Sequence, residues 1–175
     1  MQSGSTEILR RMNRRYTKES YLELVRKLRK AVPDIEISTD IIVGFPGETE
    51  EDFQGTLDVI RESRYSSAFT FIYSKRTGTP AAVMEDQVPE EVVKDRFDRM
   101  LHMLNPIVHE VHEKYVGKTL TVFAEEVSKH DDAILTGRSD TNMLVHFPGT
   151  KDLIGKMIPV KIKENKTFYL IGERI

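Results

Sequence analysis

At 175 residues the chain is long enough for one ordinary domain, or for a medium unit with a small one attached, and a formal charge of −2 excludes a uniformly basic or acidic protein. The absence of cysteine excludes disulfides and thiolate metal ligands within the chain and makes a cytoplasmic setting the default expectation. No stretch approaches the roughly 18 to 20 apolar residues of a membrane helix, and the polar, charged segment Gln2 to Arg15 does not read as a secretory leader.

Ser5 and Thr6 are fit to cap a short helix from about Glu7 to Met12, which runs into Arg10, Arg11, Arg14 and Arg15. Thr17 opens a second helix to about Ala31, with Tyr21, Leu22, Val25 and Leu28 on its apolar face and Pro33 as its stop. Positions 10 to 30 hold nine Lys or Arg against two Glu, an excess that suits either phosphate contact or a solvated helix surface. Ile35, Ile37 and Ile41 to Val43 then predict a buried strand. It ends in Gly44-Phe45-Pro46-Gly47, and Thr49 with Glu50, Glu51 and Asp52 has the chemistry of a helix start. Phe53, Leu57 and Ile60 mark a helix to about Arg64, and Ser67 to Tyr73 reads as a second strand. Helix, strand, helix, strand is the order of a parallel α/β layer.

Lys75 to Val88 predicts a loop, and Pro89 opens a long helix in which Pro106 is expected to produce a kink, or a break with Asn105 capping a new helix. From Gly117 the period changes to two. Strands are expected at Thr119 to Val127, Ala133 to Arg138, Met143 to Phe147, Met157 to Lys163 and Phe168 to Glu173, enough for a small closed barrel. The predicted domains are therefore 1–113 and 114–175.

Gln2-Ser3-Gly4-Ser5, Met12-x-Arg14-x-Tyr16, Thr39 to Thr49, Phe71-Ile72-Tyr73-Ser74 with Gly78-Thr79-Pro80-Ala81, and Thr136-Gly137-Arg138 occur in one order along nearly the whole chain. Together they resemble the methylthiotransferase family of radical S-adenosylmethionine enzymes. The nearest likeness is to members that modify an isopentenylated adenosine beside the tRNA anticodon. The resemblance implies a partial, half TIM-type barrel of parallel strands, followed by a TRAM domain, an OB-like all-β barrel that binds RNA. It also implies S-adenosylmethionine and 4Fe-4S clusters in the full-length enzyme, where a reduced cluster cleaves the cofactor to a deoxyadenosyl radical. The cluster cysteines are missing from this sequence, so the expectation is a carboxyl-terminal portion, inactive alone, whose partners are the amino-terminal part of the enzyme and the tRNA anticodon stem-loop. An exposed half-barrel edge would favour self-association.

On the same resemblance Gln2 and Ser3 face the cofactor's ribose or methionine part, Arg14 its carboxylate, and Val43 with Gly44 its adenine. Phe71, Ile72 and Tyr73 would touch the adenine too. From residue chemistry alone Ser3 reads as a helix cap, Arg14 as a solvated cation, Gly44 as a turn requirement, and Phe69 and Phe71 as core residues. Asp40 either faces a polar substrate or makes a structural bond to Arg14 or a backbone amide. His109 and His112 have the spacing of a metal pair, without a surrounding motif, and read as packing or solvated residues. In the barrel, Lys118, Arg138, Lys156, Lys161 and Lys163 would meet RNA phosphates, and Asn142, His146 and Phe147 its bases. Residues 115 to 175 carry nine Lys or Arg and eight Asp or Glu, so binding there should be weak and salt-sensitive. Other functions in view are a stand-alone RNA-binding module, and a relative acting on threonylcarbamoyladenosine or a ribosomal protein.

Overall fold

The computed structural model describes residues 1–175 and resolves two compact units, Met1–Ile107 and Val108–Ile175. In the first, Ser5 caps α1 (Thr6–Arg11), its hydroxyl accepting from the Ile8 amide at 3.3 Å. Thr17 caps α2 (Lys18–Ala31) in a reciprocal box with Ser20, and Thr49 caps α3 (Glu50–Ser63) in the same way with Asp52. Each box satisfies amides that the first helical turn leaves without partners. At the far end of α3 the Arg29 guanidinium donates to the carbonyls of Ser63 and Arg64, so α2 closes α3.

Between these helices β1 (Ser38–Val43) and β2 (Ser67–Ile72) pair in parallel, with Asp40 beside Phe69 and Ile42 beside Phe71. Thr39, Ile41 and Val43 are buried, on the opposite face of β1 from Asp40. Residues 1–3 lie against β1 as well. The Ile42 amide donates to the Gln2 carbonyl at 2.9 Å, and the Met1 ammonium donates to Thr39 Oγ1 at 2.6 Å.

The parallel layer is thus present with two strands. Its outer face corrects one expectation, since Phe69 is 64% and Phe71 51% exposed, so neither is a core residue. The register places both rings in the row of Asp40 and Ile42, which this unit leaves uncovered. Asp40 is likewise exposed, so its carboxylate needs no structural partner.

The loop after β2 contains a 3-10 turn at Pro80–Val83 that the sequence did not suggest. α4 (Glu90–Glu113) then runs unbroken through Pro106, so of the two expectations there, a kink or a break at Asn105, the break does not occur. One missing donor does not end a helix whose neighbouring residues Leu104, Ile107 and Val108 are all buried.

In the second unit β3 (Thr119–Val127), β4 (Ile134–Ser139), β5 (Leu144–Pro148), β6 (Met157–Asn165) and β7 (Leu170–Arg174) close into a barrel in the order β3-β4-β5-β7-β6. Val122, Leu135, Val145, Phe147, Val160, Ile162 and Leu170 fill it and are fully buried. Each of these large side chains contributes about 1.5–3 kcal/mol by leaving water.

The segment ahead of α1 reaches α3 through two glycines. The Gly4 amide donates to Thr56 Oγ1 at 2.9 Å, and a Cβ on Gly4 would stand 2.2 Å from the Gly55 carbonyl oxygen and 2.4 Å from Thr56 Cα. Both obstacles are backbone and cannot rotate away. Gly4→Ala is therefore expected to cost about 2–3 kcal/mol in urea unfolding, within the range for overpacked sites. Unchanged stability would mean that residues 1–5 do not dock on α3.

Candidate functional site

β1 ends at a turn built by backbone chemistry. Gly44 has φ +77° and Gly47 φ +81°, the left-handed region that glycine enters at little cost. A side chain on Gly44 would also strike Val93, its Cβ standing 2.5 Å from Val93 Cγ2. Glu48 folds back over the turn, its Oε2 accepting from the Gly44 amide at 3.0 Å and from Arg96 Nη1 at 3.1 Å. Arg96 also donates to the Glu48 carbonyl at 2.9 Å and reaches Glu50 at 3.3 Å. The Glu48 side chain is 1% exposed and that of Arg96 6%. Burial raises the Glu48 pKa above its ordinary value, opposed by the Gly44 amide and by Arg96.

A hollow of about 830 Å³ lies at this end of the two strands. Gln2, Arg14, Asp40, Phe71, Ile72 and Tyr73 all line it, so the structure brings together six of the residues expected there. The Tyr16 hydroxyl donates to Gln2 Oε1 at 3.0 Å, which leaves the Gln2 amide nitrogen for the hollow. Arg14 is exposed and forms no ion pair within the chain. Tyr73 donates its amide to the Val43 carbonyl at 2.8 Å and meets Phe45 edge to face at 5.2 Å between centroids. The Tyr73 hydroxyl is buried without a hydrogen-bond partner.

Three expected residues do not line this hollow. Ser3 is fully buried and its Oγ accepts from the Ser5 amide at 3.2 Å, which serves the approach to α1. Val43 is also fully buried and contributes only its carbonyl to Tyr73. Gly44 borders a neighbouring hollow of about 340 Å³ that shares Ile72 and Tyr73 with the first. Sequence reasoning missed Phe45, Arg11 and Arg76, which line the main hollow. Arg11 is held there by Asp86, with Nη1 to Oδ2 at 2.7 Å and Nη2 to Oδ1 at 2.8 Å, so it fastens the loop after β2 to α1, while the Gly47 amide, donating to the Asp86 carbonyl at 2.7 Å, ties the same loop to the turn after β1.

In the barrel, Arg138 and His146 line a separate hollow, whereas Lys118, Lys156, Lys161 and Lys163 are exposed elsewhere. Asn142 sits at a turn with φ +63° and accepts from Arg138 Nη1 through its carbonyl at 3.1 Å. Lys163 pairs with Glu173 at 2.5 Å. Phe147 is a correction. It borders the same hollow as Arg138 and His146 but is fully buried in the barrel core, because it follows Val145 by two residues on the inward phase of β5, so its ring packs inside the barrel and is not presented to a base. His109 and His112 turn their Nδ1 atoms to Thr167, at 3.1 Å to Oγ1 and 2.7 Å to the carbonyl. No cluster of three His, Asp or Glu side chains could hold a metal ion. No helix is long and apolar enough to cross a membrane.

Residues 1–60 match the family model of the radical SAM superfamily, and residues 113–175 match that of the TRAM domain. Three similar curated proteins are each called tRNA-2-methylthio-N(6)-dimethylallyladenosine synthase. That of Lachnoclostridium phytofermentans is 56% identical over 173 residues, which is 99% of this chain and 38% of the relative. That of Clostridium novyi is 53% identical over 175 residues, 100% of the chain and 39% of the relative. That of Acetivibrio thermocellus is 55% identical over 171 residues, 98% and 36%. The chain thus spans less than two fifths of the length of these relatives.

Because Glu48 is harder to ionise folded than unfolded, its protonation favours the fold. That contribution is full below the unfolded pKa and is lost as pH rises through the folded one. Arg96→Met removes the opposing cation and leaves Glu48 with the Gly44 amide alone. The variant should lose about 3 kcal/mol near pH 7, as for other broken buried pairs, and recover part of it on acidification. Urea unfolding at pH 7 and pH 5 checks this, and a deficit that grows at pH 5 would contradict it.

Proposed function

We propose, for a chain that belongs to the methylthiotransferase family of radical S-adenosylmethionine proteins, that the first unit forms one wall of a cofactor and substrate pocket and the second docks RNA. The observation that carries this reading is the convergence of Gln2, Arg14, Asp40 and Phe71 to Tyr73 on one hollow at the carboxyl ends of β1 and β2. Ligands of parallel α/β sheets bind at that edge.

The residues fit S-adenosylmethionine in kind. Arg14 offers a guanidinium without an ion-pair partner for a carboxylate. The Gln2 amide and the Tyr73 hydroxyl offer hydrogen bonds. Ile72 and Phe71 offer apolar surface to a purine. Asp40, exposed on the same face, is assigned to the substrate side. Gly44 and Val43 act through backbone, the first by keeping the turn tight and the second by fixing Tyr73. Ser3 supports the entry to α1 from within and reaches a ligand only through Gln2 and Ser5.

With no cysteine the chain does not fit an iron-sulfur cluster. When bound beside such a cluster, S-adenosylmethionine supplies hydrogen-atom abstraction; this chain's part is to bind it, orient it and exclude water. The uncovered row of Asp40, Ile42, Phe69 and Phe71 is assigned to the lumen of a half TIM-type barrel that an amino-terminal part of the protein would complete. Without that part the row favours self-association. The names of the relatives support a tRNA substrate carrying N(6)-dimethylallyladenosine; its place beside the anticodon and a cytoplasmic setting are implied by the motif resemblance alone. The TRAM match supports RNA docking by the barrel, with Lys118, Lys156, Lys161 and Lys163 as dispersed phosphate contacts.

Calorimetric titration of the chain with S-adenosylmethionine tests the first unit. Binding is expected to be weak. Arg14→Ala should weaken it about tenfold, the size of one charge-assisted contact, while S-adenosylmethionine lacking its carboxylate should bind wild type and variant alike. Equal affinity of both chains for the intact cofactor would contradict the assignment of Arg14.

A further inference from the structure

The barrel is thinly joined at one seam. β5 and β7 run parallel and share only the pairs Val145 with Leu170 and His146 with Ile171. A hollow of about 720 Å³ opens there, within the range of small-molecule sites. Its polar and aromatic lining is compact: Tyr169 from the strand entry, His146 from β5, Thr136 and Arg138 from β4, and Glu126 with Lys129 from the end of β3 and its turn.

His146 and Tyr169 meet edge to face, centroids 4.8 Å apart at 80°. In that geometry the edge of one ring occupies one face of the other, and both residues are only half-buried, so the remaining ring faces are available. Thr136 Oγ1 stands 3.0 Å from His146 Nδ1 and holds the imidazole in place. Burial, and to a smaller extent His130, lowers the His146 pKa, which keeps this floor uncharged at neutral pH. Lys129 and Arg138 are exposed at the rim, Lys129 without an ion pair and Arg138 with Nη1 on Asn142 and Nε 3.6 Å from Glu125.

We propose that this hollow takes one unstacked base of single-stranded RNA against the Tyr169–His146 pair, with Lys129 and Arg138 on the flanking phosphates. The inference rests on the RNA-docking reading and adds to it a defined subsite, Tyr169 and Lys129. An aromatic floor between two cations suits a nucleotide, whose flat face and phosphates occupy both. The Glu126 carboxylate at the mouth accepts hydrogen bonds only, so it favours bases with an exocyclic amino group, adenine, cytosine or guanine, over uracil, which has none.

The test uses the full 175-residue chain and fluorescently labelled single-stranded oligoadenylate and oligouridylate, followed by anisotropy over a range of salt. Tyr169→Leu should weaken oligoadenylate binding about tenfold at each salt concentration, without changing the slope of log affinity against log salt, since phosphate contacts remain. Tyr169→Phe should bind as wild type, and oligouridylate should bind more weakly than oligoadenylate. Equal binding by wild type and a folded Tyr169→Leu would overturn the subsite while leaving RNA docking intact. Absence of RNA binding by the wild type would overturn both. The chain has no tryptophan, so Tyr169→Trp gives a second readout that does not depend on the leucine variant folding. Stacking predicts quenched tryptophan emission when oligoadenylate binds, and unchanged emission at saturating RNA would overturn the proposal.

Discussion

The first unit depends on a buried carboxylate bent back onto the strand end it follows. Glu48 accepts from the Gly44 amide and from Arg96, and so joins the tip of β1, the start of α3 and the second turn of α4 at one point. Burying that charge is unfavourable unless hydrogen bonds and a counter-charge surround it. Arg96 supplies three donors' worth of contact, to the Glu48 side chain, the Glu48 carbonyl and Glu50, and lies over the Phe53 ring at 5.8 Å. Low dielectric makes each of these contacts stronger than it would be at the surface.

The consequence for function is a strand end fixed in space. Gly44 can adopt its positive φ and lie against Val93 only because no side chain intervenes. Tyr73 is then set by the Val43 carbonyl, and Phe45 by Tyr73, so two aromatic walls of the hollow follow from the same turn. Arg11 and Asp86 fasten the loop that supplies Thr79 to Ala81 on the other side. The binding groups themselves, Gln2, Arg14 and the Tyr73 hydroxyl, are left with unused hydrogen-bonding capacity. A site whose frame is held by buried hydrogen bonds and whose lining keeps unused donors is preorganised for a polar ligand.

Much of this was legible in the sequence. Helix starts were readable because Thr17 and Thr49 carry the side-chain oxygens that caps require, and barrel strands because their period is two. The six residues that share the hollow were readable from a motif resemblance, not from spacing. What failed had particular causes. Phe147 and His146 are adjacent on a strand and therefore point to opposite faces, so assigning both to RNA contradicted the alternation already evident. Phe69 and Phe71 are apolar, yet their register beside Asp40 and Ile42 is a tertiary fact, and it exposes them. Ser3 lies inside because two glycine backbones, Gly4 and Gly55, touch, which no local pattern signals. At Pro106 the local penalty allows a kink or a break, and burial of Leu104, Ile107 and Val108 decides against the break.

The central claim is that a nucleoside cofactor lies at the carboxyl end of β1 and β2. Intermolecular nuclear Overhauser effects between S-adenosylmethionine and the isotope-labelled chain test it most directly. The account predicts contacts from the adenine protons to the methyls of Ile42 and Ile72 and to the rings of Phe71 and Tyr73. Contacts confined to the barrel, or to the outer surface of α2, would contradict it.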